Sequence, residues 1–265
     1  MNSFRISVIM GVYNCDSTIA DALDSLFAQT YKQFKVIICD DGSTDNTYEI
    51  SKKYANEHPN IILLKNNENK GLNYTLNRCL ALADTEYIAR MDGDDISLPT
   101  RFQEQVIFLD KNPKYTIVSS PMIYFDEEGD FKYGRNRIKM PSKFDFIYGS
   151  PFCHAPSMIR TSAIKKVGGY TVDKKLLRVE DYHLWFKMYA NGYIGYNLNN
   201  PLYKMRDDKN AIKRRTFSSR INEAYVRYIG FKMLKLPFYY HIFILRPIII
   251  GFLPKKLYTY LHRNK

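Results

Sequence analysis

The chain has 265 residues, 45% hydrophobic and 25% charged, which is enough apolar material for one substantial core or one domain with an appendage and excludes a disordered chain. Its four cysteines, Cys15, Cys39, Cys79 and Cys153, form no C-x-x-C pair, which argues against a zinc site and for a reducing compartment. The net charge of +12 lies wholly at the end: residues 1–200 hold 24 Lys/Arg and 24 Asp/Glu, whereas residues 201–265 hold 15 against 3, which suits an anionic partner, lipid head groups or nucleic acid.

Residues 5–12 (R-I-S-V-I-M-G-V) read as a buried strand, with too short an apolar run before them for a secretory signal. Tyr13 and Asn14 turn the chain, Asp16-Ser17 supply a helix cap, and Ile19, Leu23, Leu26 and Phe27 recur at helical spacing. A second strand at 34–39 ends in Asp40-Asp41-Gly42-Ser43, and Thr44 or Asp45 opens a helix to about Glu57. A short strand at 61–64, a turn at Asn69-Lys70-Gly71, a helix over 72–83 and a strand at 87–91 follow, and Pro99 suits the start of a helix reaching Lys111. Strands alternating with helices predict βαβ units, a mostly parallel central sheet flanked by helices, and ligands bound beyond the carboxyl ends of the strands. Past Lys111 the pattern predicts a strand over 115–125, a turn at 126–130, short helices at 142–148 and 161–167, an amphipathic helix over 182–191 stopped by Gly192, and closing strands at 193–197 and 202–206.

Three of the predicted strand ends carry the informative residues: Gly11 to Tyr13, Asp40-Asp41, and the block Asp92-Gly93-Asp94-Asp95. Crowded carboxylates repel, and hard oxygen ligands of this kind suit Mg²⁺ or Mn²⁺, bound through one or two carboxylates with water and phosphate filling the other positions. An acidic turn bent at Gly93 would carry the same letters, but it has no reason to share an edge with the other two sites. A second acidic pair, Glu180-Asp181, precedes the 182–191 helix, where the helix dipole favours acids and where like charge raises a carboxyl pKa.

Taken in order, S-V-I-M-G-V-Y-N (7–14), D-D-G-S-T-D-N-T (40–47), N-K-G-L-N (69–73), D-G-D-D (92–95), V-G-G-Y (167–170) and E-D-Y-H-L-W (180–185) resemble the family-2 glycosyltransferases of the GT-A fold, of the bacterial surface-polysaccharide type. The resemblance covers residues 5 to about 190 and implies a GT-A, Rossmann-like α/β fold and an inverting, metal-dependent transfer from a nucleotide-sugar, a UDP-hexose or UDP-N-acetylhexosamine, to a saccharide or lipid-linked glycan. It implies that Asp41 binds uracil with Asp40 in support, that Gly11 and Tyr13 wall the nucleotide pocket, and that Lys70 meets the diphosphate. It implies further that Asp92, Gly93 and Asp94 sit at the donor, with Asp92 and Asp94 as metal ligands. Asp181 then acts as general base beside Glu180, and His154 lies near phosphates or acceptor. A sugar-phosphate nucleotidyltransferase is the competing enzyme class. It needs a Gly-rich phosphate loop with a basic residue where this chain reads G-V-Y-N-C. A basic nucleic-acid-binding protein is the non-enzyme alternative, and it lacks any recognised motif here.

Residues 207–265 form the expected appendage to a catalytic unit over 1–206. A helix over 210–236 carries Lys213, Arg214, Arg215, Arg220, Arg227, Lys232 and Lys235. The apolar run 237–253 is interrupted by His241, Arg246, Pro247 and Gly251 and flanked by Lys255, Lys256, Arg263 and Lys265. It makes a poor transmembrane helix and a better in-plane segment on an anionic membrane, which predicts a cytoplasmic protein peripheral on the inner face. The same run would also serve as a packed helix or an oligomer contact.

Overall fold

The computed structural model describes residues 4–134, 138–207 and 217–252. The first half alternates as expected: β1 (Ile6–Val12), α1 (Ile19–Phe27), β2 (Phe34–Asp40), α2 (Thr47–Glu57), β3 (Ile61–Lys65), α3 (Leu72–Leu82) and β4 (Tyr87–Met91). Then come β5 (Ile96–Ser97), α4 (Arg101–Lys111), β6 (Ile117–Ser119), β7 (Ile123–Asp126), β8 (Gly129–Tyr133), a 3-10 turn at Asp145–Tyr148, β9 (Met158–Arg160) and α5 (Thr161–Lys166). A second 3-10 turn (Lys174–Leu176), α6 (Glu180–Ala190), β10 (Gly195–Asn197), β11 (Tyr203–Arg206), α7 (Phe217–Met233), a 3-10 segment (Phe238–Leu245) and α8 (Arg246–Gly251) complete the order.

Seven strands form one sheet in the order β10-β6-β9-β4-β1-β2-β3, parallel except for β9, and β5-β11-β7-β8 form a second, smaller sheet. This is the mostly parallel α/β architecture of the GT-A fold. Strict alternation sorts the side chains. Ile6, Val8 and Met10 of β1 with Val36 and Ile38 of β2 face α1 and α4, while Ile9, Ile37 and Cys39 face α3 and α6. All are fully buried, and each such side chain contributes roughly 1.5–3 kcal/mol relative to exposure.

Several expectations need correction. The strand expected over 115–125 is two strands, because the chain leaves the large sheet after Ser119 and enters the small one at Ile123. The two expected closing strands do form, β10 in the large sheet and β11 in the small one. Strand β9, in P-S-M-I-R, was not foreseen; three residues are too few for periodicity to show. Asp16-Ser17 do not cap α1, which starts at Ile19, and the Thr18 hydroxyl in the N-cap position donates instead to Gly93 O at 2.9 Å.

The expected helix over 210–236 is described from Phe217 onward. Lys213, Arg214, Arg215, Lys255, Lys256, Arg263 and Lys265 lie outside the described residues. Helix α7 packs on α6: Val226, Phe231, Leu234 and Leu236 join the core that holds Trp185 and Phe186. Gly230 permits the close crossing, since a Cβ there would lie 2.3 Å from the Phe186 ring. The run after Leu236 is a 3-10 segment followed by a short helix, with Phe238 88% and Phe252 75% exposed. No helix of the described residues is long and apolar enough to cross a membrane.

Candidate active site

Because β2 and β4 both pair parallel to β1, with Val12 opposite Asp40 and Met10 opposite Met91, the carboxyl ends of the three strands lie side by side. The first wall of the site is a stitched pair of turns. Asp41 N–H donates to Val12 O at 2.8 Å, Cys15 N–H to Thr47 Oγ1 at 2.8 Å and Thr44 N–H to Asn14 Oδ1 at 2.9 Å. Tyr13 stands at the rim, 46% exposed, and Gly11 lies below it against Leu72 and Thr75 of α3.

Asp41 is 4% exposed, and its carboxylate is held in a ring of donors. Oδ1 accepts from Asn66 Nδ2 at 2.6 Å and Lys70 N–H at 2.9 Å; Oδ2 accepts from Gly71 N–H at 2.9 Å. A carboxylate has about four acceptor sites, so Oδ2 retains capacity for one more donor. Asp40 is fully buried: one oxygen accepts from Ser43 N–H at 3.2 Å, and the other has no hydrogen-bond partner. The structure places Lys70 beside Asp41 by its backbone, while its exposed ammonium pairs with Glu68.

The D-G-D-D block forms the turn after β4. Gly93 is needed there for packing, since a Cβ would lie 2.8 Å from Cys15 Sγ and 3.1 Å from Val12 Cγ1. Strand β11 fixes the turn from the second sheet. Asp92 N–H donates to Tyr203 Oη at 3.2 Å, Arg206 N–H to Asp95 Oδ1 at 2.8 Å and Arg206 Nε to Asp94 O at 3.1 Å. Asp95 is buried, and burial, then Asp92 and Asp94, hold its pKa well above the ordinary carboxylate value. Asp92 and Asp94 are half-buried at the edge.

Arg90, which the sequence reading passed over, ties these parts together. It lies in β4, 3% exposed, and ion-pairs Asp92. Its charge also acts on His154, Tyr170 and Glu180. The available signal was a cation inside the apolar strand Y-I-A-R-M, since such a residue is almost never buried without a partner. Arg101, also fully buried, pins the neighbouring loop by donating through Nη2 to Arg90 O at 2.8 Å and Ala155 O at 3.1 Å.

Antiparallel β9 brings the loop before it to the same edge, with Arg90 N–H on Ser157 O at 3.1 Å. His154 in that loop shares a 2.8 Å hydrogen bond between Nε2 and the Tyr170 hydroxyl. Burial and then Arg90 keep the imidazole neutral, its pKa well below the ordinary value. Tyr170 belongs to V-G-G-Y and feels Arg90, Asp181, Glu180 and Asp92 together, so it links Asp92 to the second acidic pair.

Glu180 and Asp181 open α6, as the dipole preference requires. Burial first, and Asp181 second, push the Glu180 carboxyl up to about 7. Ser150 Oγ donates to Asp181 Oδ2 at 3.3 Å. Trp185, one turn on, is fully buried against Phe152 at 5.6 Å between ring centroids and belongs to the core.

The donor chemistry of Asp92 and Asp94 fits a hard divalent ion: two half-buried carboxylates at an open edge, with phosphate and water left to complete the shell. Among the described residues no group of three or more His, Cys, Asp or Glu side chains could hold a metal ion by itself.

The chain is similar to known proteins over this whole arrangement. The family model described as Glycosyl transferase family 2 matches residues 7–168, which take in the stitched turns, the D-G-D-D block and His154 but stop before Glu180. A putative glycosyltransferase of Bacillus subtilis, EpsE, is 41% identical over 98% of this chain and 94% of its own length. The Escherichia coli UDP-Glc:alpha-D-GlcNAc-diphosphoundecaprenol beta-1,3-glucosyltransferase WfaP is 29% identical over 86% of this chain and 87% of its own. Staphylococcus aureus TarS (residues 1–349), solved in complex with UDP-GlcNAc, superposes with a TM-score of 0.66 at 20% identity, covering 96% of this chain and 83% of that one.

Proposed function

This chain belongs to glycosyl transferase family 2 and is a glycosyltransferase, and from that premise we propose that it transfers a sugar from a UDP-hexose or UDP-N-acetylhexosamine to a saccharide hydroxyl, with inversion. The observation that carries the reading is the alignment of Asp41 and the turn from Asp92 to Asp94 at the carboxyl ends of the strands on either side of β1, with Asp92, Glu180 and Asp181 all acting on Tyr170.

Uracil lies against Tyr13 above Gly11, and its N–H donates to the remaining acceptor site of Asp41 Oδ2. Asn66 and the backbone N–H groups of Lys70 and Gly71 hold Asp41 in place, and Asp40 supports the same turn by accepting from Ser43 N–H. Asp94, with Asp92 beside it, would hold Mg²⁺ or Mn²⁺ against the diphosphate, and such an ion offsets the charge gathering on the leaving UDP. Arg90 fixes the orientation of Asp92, and Gly93 lets the turn sit against Cys15. Asp181 takes the proton of the acceptor hydroxyl as that oxygen attacks the anomeric carbon; the carbon–oxygen bond to the diphosphate breaks, and UDP departs with the electron pair. Glu180 sets the local charge, and neutral His154 orients Tyr170 at the same site.

The acceptor we propose is a lipid-linked saccharide of cell-surface polysaccharide synthesis, by likeness to the relative whose name specifies a diphosphoundecaprenol acceptor. Residues 1–206 form the catalytic unit in this reading. Residues 207–265 form an appended segment anchored in the core by α7, and its exposed apolar residues meet the inner face of an anionic membrane. The test is a UDP-release screen across UDP-hexoses and UDP-N-acetylhexosamines, with Mn²⁺ and with chelator, on the wild type and Asp94→Ala. The reading predicts release with a restricted donor set, lost on chelation and in Asp94→Ala, whose fold survives and whose UDP affinity no longer responds to Mn²⁺. Full activity of Asp94→Ala in chelator would refute the metal assignment.

A further inference from the structure

Three successive carbonyls of the 3-10 turn Asp145–Tyr148 are each held by a different donor. Phe146 O accepts from the Tyr182 hydroxyl, Ile147 O from Arg227 Nη1 at 2.7 Å and Tyr148 O from Arg246 Nη1 at 2.8 Å. The first donor sits on α6, next to Asp181. The other two come from α7 and α8, so the C-terminal segment builds the loop that faces the candidate base.

Beside this turn lies a cavity of about 310 Å³, lined by Ile138, Pro141, Asp145, Tyr148 and Ser150 among others. One wall reaches the base, through the 3.3 Å bond from Ser150 to Asp181. On the other side stands Tyr148, 62% exposed, its ring edge-on to Phe243 at 6.0 Å. Phe243 lines a second cleft of about 290 Å³ with Ile242, Arg246, Ile249 and Ile250, which is almost wholly apolar except for that arginine. Arg246 therefore lines the apolar cleft and is bonded to the turn that lines the first cavity, where the Asp145 carboxylate and Ser150 hydroxyl are the polar side chains. It spends one N–H on Tyr148 O, and the guanidinium fork has further N–H groups suited to a phosphate oxygen.

We propose that these two cavities are the acceptor site for a lipid-diphosphate-linked sugar. The sugar lies on the Tyr148 ring with its nucleophilic hydroxyl toward Asp181, the diphosphate meets Arg246, and the lipid runs over Phe243 and Ile249. The order of an aromatic wall with a carboxylate and a hydroxyl, then an arginine, then an apolar cleft repeats the order sugar, diphosphate, hydrocarbon. The Asp145 carboxylate, fixed by Ser142 N–H and Oγ at 2.7 Å each, can still accept a sugar hydroxyl. This inference rests on the donor reading above and adds the place and linkage chemistry of the acceptor.

The experiment uses the full chain, its UDP-sugar donor and three probes: N-acetylglucosamine, glucose and galactose, each joined through an α-diphosphate to an undecyl chain. The same sugars as plain undecyl glycosides and as free sugars are the controls. At least one diphosphate amphiphile is expected to be labelled, and free sugars not. Tyr148→Ala should raise the acceptor KM by about 3- to 10-fold, the range of a lost aromatic contact. Arg246→Gln should raise it by about 10-fold or more for the diphosphate probe and by clearly less for the plain glycoside, which meets only the turn that Arg246 holds, as expected for a lost charge-assisted hydrogen bond. Neither variant should alter UDP affinity by calorimetry or donor hydrolysis without acceptor.

An equal effect of Arg246→Gln on both probe types would mean that the arginine only holds the turn, and would overturn the diphosphate site. Donor hydrolysis with no amphiphile labelled, or free sugars labelled as well as the amphiphiles, would also overturn the proposal while leaving the donor reading intact. A wild type that neither binds UDP nor hydrolyses any UDP-sugar overturns both readings.

Discussion

Arg90 and Asp92, two residues apart at the end of β4, form an ion pair whose cation is 3% exposed and whose carboxylate is 30% exposed. A charge so deeply buried needs its partner, and removing one member of a buried pair costs about 3–5 kcal/mol when both are sequestered. Asp92 is partly solvated, so Arg90→Gln should lower stability by about 1–3 kcal/mol, visible as a drop in Tm. Since Arg90 also faces His154 and Glu180 electrostatically, kcat should fall further than the donor KM rises. Arg90→Lys should recover stability more fully than activity. A variant with unchanged kcat and lowered Tm would reduce Arg90 to a purely structural cation.

Asp41 offers a test of the nucleotide wall that does not depend on turnover. Asp41→Asn replaces an all-acceptor group with one that carries two N–H donors, facing the N–H groups of Lys70 and Gly71 and the amide of Asn66. At least one bond is lost and one donor pair clashes, so stability should fall by about 1–3 kcal/mol. UDP binding, followed by calorimetry, should weaken by about 10-fold or more, the loss of a charged hydrogen bond. Unchanged UDP affinity would separate Asp41 from the base.

The acidic pair at the start of α6 predicts both a rate effect and a pH effect. Asp181→Asn keeps the shape and removes the proton acceptor, and kcat should fall by at least ~10²-fold with donor affinity nearly unchanged. Glu180→Gln should be milder. The Glu180 pKa is raised from 4.5 to about 7, so its protonated form is favoured by folding. That contribution is complete below the unfolded value of 4.5 and is lost as pH rises through about 7. For a half-buried group it amounts to about 1–3 kcal/mol after solvent screening. Tm should therefore decline from about pH 5 to about pH 7.5 more steeply in the wild type than in Glu180→Gln. Parallel profiles would place the titration elsewhere.

The membrane reading makes a prediction separable from catalysis. Phe238, Tyr239, Ile242, Ile249 and Phe252 are 64–88% exposed on the C-terminal segment. With the cations of residues 201–265 they should bring the protein down with anionic vesicles, with partial release as salt shortens the Debye length. Phe238→Ser with Phe252→Ser should weaken co-sedimentation without changing UDP affinity, because neither side chain supports the sheet. Indifference of the wild type to anionic vesicles at low salt would leave this surface to a subunit contact.

The half of the sheet that carries the proposed donor site was legible in the sequence because its elements are long and regular. β1, β2, α3 and β4 carry full periodic patterns, and their ends hold the acidic motifs that parallel pairing then aligns. The acceptor half was less legible for physical reasons. β6, β9 and β10 have three residues each, too few for alternation, and β5 has two. Their pairing is set by distant contacts such as Ile159 with both Ile88 and Ile117. Lys70 and Arg90 show the same limit within the site. The exposed lysine was marked for its charge, yet its backbone N–H holds Asp41; the buried arginine was passed over, yet its charge meets four site residues. The hold of α7 and α8 on the turn before Gly149 joins residues about 80–98 positions apart, a relation that no local pattern encodes.

The antiparallel course of β9 has a consequence for how the chain can vary. The donor side is written in consecutive βα units, where inserting or deleting a residue would re-register a parallel neighbour. The acceptor side is an excursion: the chain leaves the large sheet after Ser119 and returns at Met158 beside the strand it left. Between those ends it is held at a few points, Lys139 O by the Asn197 N–H of β10 and β7 by its pairing with β11. Loops between these points can lengthen or shorten without moving any of the seven strands. In the function proposed above, the fold thus separates the part of the site given to the donor from the part that is free to diversify with the acceptor.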